Sequence, residues 1–431
     1  MSRQPYRAET LALHAGHTPD SATHARGVPV HRTTSYLFDN TAHAARLFNL
    51  EEPGNIYTRI MNPTQDILEK RVAALEGGTG ALALASGTSA VFYSIINLCR
   101  QGEEIVAARN LYGGTYTMFD SILPRLGITV RLVDHDKPEQ FRQACNDKTR
   151  AVYIETIGNP VLDFTDIEAI AAVAGEHHVP LIVDSTFTTP YLLKPLEYGA
   201  DIVVHSLTKW LGGHGAAIGG VVVDSGKFDW TDPRFSLFNE PDESYHGIRF
   251  AHDLGDLSPL AFVLRMRLIP LRNLGACISP DNAWMFLQGI ETLHLRMQRH
   301  SENGLNLAEF LSTHPHVEWV RYPGLPADPS YETARRYLSR GFGGMVVFGV
   351  KGGYDAAVKL IDSITLFSHL ANVGDARSLI IHPSSTTHSQ LSENQQRAAG
   401  LTPGLIRLSV GLEHIDDLRE ALDKALREAH A

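Results

Sequence analysis

The stretch Ile202-Val203-Val204-His205-Ser206-Leu207-Thr208-Lys209-Trp210-Leu211-Gly212-Gly213-His214-Gly215 runs from an apolar segment through two hydroxyls and a lysine into a glycine-rich loop. An apolar run this short and β-branched, stopping at small residues, predicts a buried strand of a parallel sheet. Similar runs lie on either side at Ala81 to Ala85, Glu104 to Ala107, Thr129 to Val133, Ala151 to Glu155, Leu181 to Val183 and Gly219 to Val223. Helical stretches separate them, among them Thr64 to Leu75 and Asp166 to His177, the latter with Thr165 as N-cap and Glu168 three residues on. Alternation of this kind predicts an α/β domain with a largely parallel sheet.

Outward from this block the pattern changes. Residues 1–62 mix Pro, Gly, His and Thr, as in Gly27-Val28-Pro29-Val30, and predict an extended arm able to reach a partner subunit. At Ser279-Pro280-Asp281 a long helical stretch begins and continues past Leu293 towards Phe310. Beyond it, Gly344 to Val350 and Leu405 to Val410 predict strands and Asp416 to Ala429 a final helix, an α+β pattern. The expected division is therefore 1–62, 63–278 and 279–431.

With 431 residues, 43% of them hydrophobic and 20% charged, the chain has enough apolar material for a large core. A formal net charge of -10 without basic clusters argues against a nucleic-acid partner. The start carries no apolar stretch behind its basic residues, and no segment is apolar for long enough to span a bilayer, so a cytoplasmic protein without membrane contact is expected. Cys99, Cys145 and Cys277 are too few and too scattered for a disulfide framework or a zinc spacing, and buried free thiols are expected. Neither His177-His178, His205, His382 nor His388 has metal-ligand spacing, and no metal is predicted.

A lone Lys after a strand is ordinarily a solvated surface residue. Lys209 differs because Ser206 and Thr208 precede it and glycines follow. A lysine amine condenses with an aldehyde, and neighbouring hydroxyls donate to a phosphate, so the grouping suits a phosphate-bearing aldehyde cofactor, with the lysine also serving as a base. In Ala85-Ser86-Gly87-Thr88-Ser89-Ala90 an apolar run stops at small residues before a helix, whose free N–H groups and dipole attract anions. Asp184, closing the run Leu181-Ile182-Val183, is placed to hold a pyridine nitrogen protonated, although an Asp capping a turn is equally common.

Tyr112, beside Gly113 and Gly114, has room to lie flat on a heterocycle, with a core tyrosine as the ordinary alternative. Tyr57 and Arg59 share one face of an extended segment and point to a phosphate, or merely to a loop. Arg407, a charge inside the apolar run Leu405 to Val410, suits a substrate carboxylate, against a structural salt bridge. A dinucleotide-binding turn would have to follow the first strand, whereas Gly212-Gly213-His214-Gly215 comes late and after a lysine.

Taken with Thr10-Leu11-Ala12-Leu13-His14-Ala15-Gly16, Tyr57-Thr58-Arg59-Ile60-Met61-Asn62-Pro63-Thr64 and Glu155-Thr156-Ile157-Gly158-Asn159-Pro160, these segments resemble the Cys/Met-metabolism family of pyridoxal 5'-phosphate (PLP) enzymes over nearly the whole chain. The stretch Leu366-Phe367-Ser368-His369-Leu370-Ala371-Asn372-Val373-Gly374-Asp375-Ala376-Arg377-Ser378-Leu379-Ile380-Ile381-His382-Pro383, with Leu111-Tyr112-Gly113-Gly114-Thr115-Tyr116, is similar to its sulfhydrylase branch, which acts on O-acetylhomoserine. The resemblance implies an α/β PLP-dependent transferase fold of the aspartate aminotransferase type (fold type I), a large mostly parallel sheet domain plus a smaller α+β domain, in a homo-oligomer that is a dimer of dimers.

It further implies that Lys209 and Tyr112 are catalytic. Ser86, Gly87, Thr88, Ser206 and Thr208 would hold the phosphate with Tyr57 and Arg59 of a neighbouring subunit. Asp184 would pair with the ring nitrogen, Asn159 with the ring oxygen, and Tyr112 would stack on the ring. Arg407 would bind the substrate carboxylate beside Asn372, which stands where lyase and synthase relatives commonly have Ser; Gly114 stands where some lyases have Cys. The expected reaction is γ-replacement of acetate by sulfide or methanethiol on an amino-acid substrate. Cystathionine γ-synthase, O-succinylhomoserine sulfhydrylase and methionine γ-lyase activities share the same cofactor residues, and a non-catalytic PLP-binding protein is the alternative of another class.

Overall fold

The computed structural model describes residues 6–386 and 400–431. His388 and the first residues of the chain lie outside the described residues. Each of the seven apolar runs forms a strand within two residues of the expected bounds: β1 (Gly80–Leu84), β2 (Glu104–Ala108), β3 (Thr129–Val133), β4 (Thr149–Glu155), β5 (Leu181–Asp184), β6 (Ile202–Ser206) and β7 (Gly220–Asp224). They form one sheet in the order β1-β7-β6-β5-β4-β2-β3. Only β7 runs antiparallel to its neighbours β1 and β6; the rest are parallel.

Both faces of this sheet are covered, which is why its strands are apolar without interruption. Leu181, Val183, Val203 and Val221 pack into one core, and Tyr153, Ile182, Val204 and Val222 into the other. The two-residue period then places Glu155, Asp184 and Ser206 on the second face, where the parallel strands end. His205 alternates to the first face and pairs with the equally buried Glu76, Nε2 to Oε1 at 2.6 Å.

Capping sets the helix bounds. Asn62 accepts from Thr64 N–H at the head of Pro63–Glu76, and Ser279 from Asn282 N–H at the head of Pro280–Glu291. The cap of Ile167–Glu176 is Asp166, which accepts from Ala169 N–H, and not Thr165, whose N–H is drawn back to Thr156 O. The arm also differs from an extended expectation at its beginning. Ala8, Leu11, Ala12 and Ala15 recur at helical spacing and sink into the core through the helix Ala8–His14. Gly16, at φ +76°, passes so close to the helix Pro63–Glu76 that a Cβ there would lie 2.7 Å from Lys70 Cβ.

The second sheet contains β8 (Val317–Arg321), β9 (Met345–Val350), β10 (Ser368–His369), β11 (Leu379–Ile381) and β12 (Leu405–Ser409), in the order β10-β11-β12-β9-β8. Its pairs are antiparallel except β10 with β11. Leu293–Ser312, Gly353–Ser363 and the final helix Ile415–Glu428 pack against it. Leu418, Leu422, Ala425 and Leu426 form the buried stripe of that last helix, each leucine contributing about 2 kcal/mol by burial. Cys99 and Cys145 are buried free thiols; Cys277 is only partly covered. No helix among the described residues is long and apolar enough to cross a membrane.

Candidate active site

A cavity of ≈ 920 Å³ opens beside the carboxyl ends of β4, β5 and β6. Open α/β sheets place their ligands there, because the strand ends and following loops supply divergent side chains over a rigid base. Of the residues expected to meet cofactor or substrate, all line it except two: Tyr57 and Arg59 lie elsewhere on this chain, the Arg59 guanidinium 5.0 Å from the Tyr57 ring centre.

One wall is the start of the helix Gly87–Ile96. Ser86 Oγ caps it by accepting from Ser89 N–H at 3.0 Å. A Cβ on Gly87 would lie 2.7 Å from Ser206 Cβ, so glycine is what lets the helix end meet β6. Thr88, Ser206 and Thr208 line the same wall, and Thr208 Oγ1 accepts from Gly219 N–H at 3.1 Å. Free helix N–H groups, the helix dipole and hydroxyls together make an anion cradle.

Lys209 leaves this wall in a turn that breaks helical geometry, at φ -93° and ψ -130°. Gly374 packs on the turn so tightly that a Cβ would lie 2.5 Å from Trp210 N. From the other side the buried Arg296 donates to Trp210 O at 2.7 Å, Leu211 O at 3.2 Å and Gly289 O at 2.6 Å. Lys209 Nζ donates to Asn372 Oδ1 at 2.5 Å, and no described carboxylate forms an ion pair with it. Burial, and secondarily the Arg407 charge, lower its pKa to about 8. A substantial neutral fraction near that pH equips it as nucleophile and base.

Asp184 accepts from Thr186 N–H at 2.9 Å and from Tyr153 OH at 3.5 Å. Burial raises its pKa above the ordinary carboxylate value. Beside it, in register across β4 and β5, stands Glu155, which accepts from Tyr112 N–H at 2.7 Å. Burial first and Asp184 second hold the Glu155 carboxyl well above the usual range. Sequence reasoning passed over Glu155, although it ends its strand just as Asp184 does. Opposite, the buried Arg407 donates to Asn159 Oδ1 at 3.0 Å and pairs with no described carboxylate. Burial lowers its pKa to about 10, with Tyr112 opposing. Tyr112 is half exposed, its ring folded over Gly114.

The donor set fits PLP: an amine held by a neutral amide and by no described carboxylate for an aldehyde, an anion cradle for a phosphate, and a buried carboxylate with no described ion pair for a protonated ring nitrogen. An unprotonated, neutral ring nitrogen would leave the desolvation of the Asp184 carboxylate uncompensated.

Residues 9–427 match the model of the family described as Cys/Met metabolism PLP-dependent enzyme. The O-acetyl-L-homoserine sulfhydrylase of Leptospira meyeri is 57% identical over 428 residues, 98% of this chain and 97% of that one. O-acetyl-L-homoserine sulfhydrylase 1 of Thermus thermophilus is 52% identical over 97% of this chain and 100% of its own length. The crystal structure of a protein described as a putative O-acetylhomoserine (thiol)-lyase of Campylobacter jejuni, carrying a pyridoxyl-lysine monophosphate, superimposes with a TM-score of 0.94 at 40% identity, covering 98% of this chain and 100% of that one.

Proposed function

The chain belongs to the Cys/Met metabolism family of PLP-dependent enzymes, and from that premise we propose that it replaces the acetoxy group of O-acetyl-L-homoserine by sulfide, giving homocysteine and acetate. The relatives named O-acetyl-L-homoserine sulfhydrylase support the substrate. The observation that carries the chemistry is the position of Lys209, unpaired by any described carboxylate, in one cavity with Asp184 and Arg407.

When bound, PLP supplies an aldehyde that takes up amines and a ring that draws electrons from the amino-acid carbon. Ser86, Gly87, Thr88, Ser206 and Thr208 would hold its phosphate, Asp184 would keep its ring nitrogen protonated, Asn159 would meet its ring oxygen and Tyr112 would cover its face. Arg407, with Asn372, orients the substrate carboxylate. Lys209 takes the Cα proton and moves a proton at Cβ. The Cγ–O bond breaks with loss of acetate, sulfide forms the Cγ–S bond, and protons return to Cβ and Cα. Methanethiol in place of sulfide gives methionine.

The protein would work as a cytoplasmic dimer of dimers in which Tyr57 and Arg59 enter the neighbouring subunit's phosphate site. Residues 1–62 would form the intersubunit arm, 63–278 the PLP domain and 279–431 the C-terminal domain. Assays pairing O-acetyl- or O-succinyl-L-homoserine with sulfide or cysteine, and methionine alone, test the proposed reaction. Homocysteine formed fastest from the acetyl ester and sulfide supports it. Cystathionine or methanethiol as the main product contradicts it.

A further inference from the structure

We propose that Glu155 is a positioning residue of this site, fixing through Tyr112 N–H the ring that closes the cavity. The proposal rests on Tyr112 as the ring that covers the cofactor.

Tyr112 stands at the head of Gly113-Gly114, where the backbone has the least intrinsic preference. Its ring is half exposed and gains little from packing. What shapes its position is the absence of a side chain beneath it, since a Cβ on Gly114 would lie 2.6 Å from Tyr112 Cε1 and 3.3 Å from its hydroxyl. Such an open floor permits the ring's place but does not hold it there. Two bonds hold the residue's backbone: Tyr112 O accepts from Tyr116 N–H at 2.9 Å within its own helix, and Tyr112 N–H donates to Glu155 Oε1 at 2.7 Å, which fixes it to the end of β4. Glu155 ends β4, inside the sheet, and is 6% exposed, so the bond ties the head of the short helix Gly113–Thr117 to the edge of the large sheet's core.

The partners around the carboxyl suit this task. Glu155 faces Asp184 across the strand pair, and both lie on the cavity side with Lys209 and Arg407. Two adjacent buried carboxylates repel each other if both are ionised. Asp184 has Thr186 N–H and Tyr153 OH as donors, whereas Glu155 has Tyr112 N–H. Burial and the Asp184 charge therefore favour an uncharged Glu155, whose carbonyl oxygen still accepts. An amide of the same length can make that bond equally well.

The test is a double-mutant cycle read on cofactor affinity, by titrating cofactor-free protein with PLP and following its visible absorption. Tyr112→Ala and Glu155→Ala are each expected to weaken binding about tenfold, and the double variant about tenfold rather than a hundredfold. Glu155→Gln is expected to bind within about twofold of the wild type. Multiplying effects in the double variant, or a Gln variant as weak as the Ala variant, would overturn the proposal. A Tyr112→Ala protein that binds as tightly as wild type would remove the underlying role of Tyr112 and the proposal with it. Should Glu155→Ala not fold, Glu155→Asp, one methylene short of Tyr112 N–H, takes its place in the cycle with the same outcomes.

Discussion

Lys209 Nζ meets Asn372 Oδ1 at 2.5 Å, joining the end of β6 in the large sheet to the loop between β10 and β11 in the small one. The amine is thus held by a neutral acceptor, and its charge is opposed by burial and by Arg407.

An acidic acceptor would reverse that balance. In Asn372→Asp a carboxylate replaces the amide at the same distance, favouring the ammonium form. The rate of PLP capture by cofactor-free wild type is expected to rise with pH about a midpoint near 8. Stopped-flow absorbance should place the midpoint of the variant at least about one pH unit higher. An unmoved midpoint would dissociate capture from the Lys209 amine.

Stability carries the same signature. The folded pKa of Lys209 lies below its ordinary value, so the folded protein binds fewer protons than the unfolded chain between about pH 8 and 10.5. Its cost to cofactor-free stability is therefore complete below pH 8 and fades as pH rises through that window. Denaturant titrations should find Lys209→Met more stable than wild type by about 3 kcal/mol at pH 7, with the difference shrinking towards pH 10.5. A difference independent of pH would refute this.

Glu155 gives the opposite slope. A carboxyl held protonated in the fold loses stability as pH rises above its ordinary value of 4.5. Asp201 and Asp224, raised to about 6 and about 7 by burial, contribute equally to both proteins and cancel. Thermal melts of cofactor-free Glu155→Gln should gain on wild type from pH 5 to pH 8. A constant gap would mean that Glu155 is ionised.

Gly87→Ala sets a methyl group 2.7 Å from Ser206 Cβ and pushes the helix start away from β6. The expected cost is about 1–3 kcal/mol of stability. The larger effect is on the anion cradle, and equilibrium dialysis should find PLP held at least about thirtyfold more weakly.

The sheet was legible because burial on both faces leaves β5 and β6 apolar up to Asp184 and Ser206, where the chemistry starts. Lys209 stood out by its neighbours in the chain. Contacts between distant residues did not: Lys209 and Asn372 are 163 positions apart, and only the fold brings them together. Glu155 was hidden because a strand's last residue reads as part of the strand until its partner strand is known. The helix Ala8–His14 was hidden by its shortness, since isolated helices of that length have little stability without the core they pack on. Asp166 displaced Thr165 as a cap because the bond from Thr165 N–H to Thr156 O fixes Thr165 to the preceding loop. Tyr57 and Arg59 lie off this chain's own cavity, and their proposed role requires a second subunit.

The role of Lys209 in γ-replacement is read from the release of homocysteine and acetate from O-acetyl-L-homoserine and sulfide by PLP-loaded wild type and Lys209→Ala side by side. Equal amounts of both products are expected from the wild type, and a rate at least about a thousandfold lower from the variant. Turnover by Lys209→Ala at the wild-type rate, or a wild type that forms no homocysteine, would contradict that role.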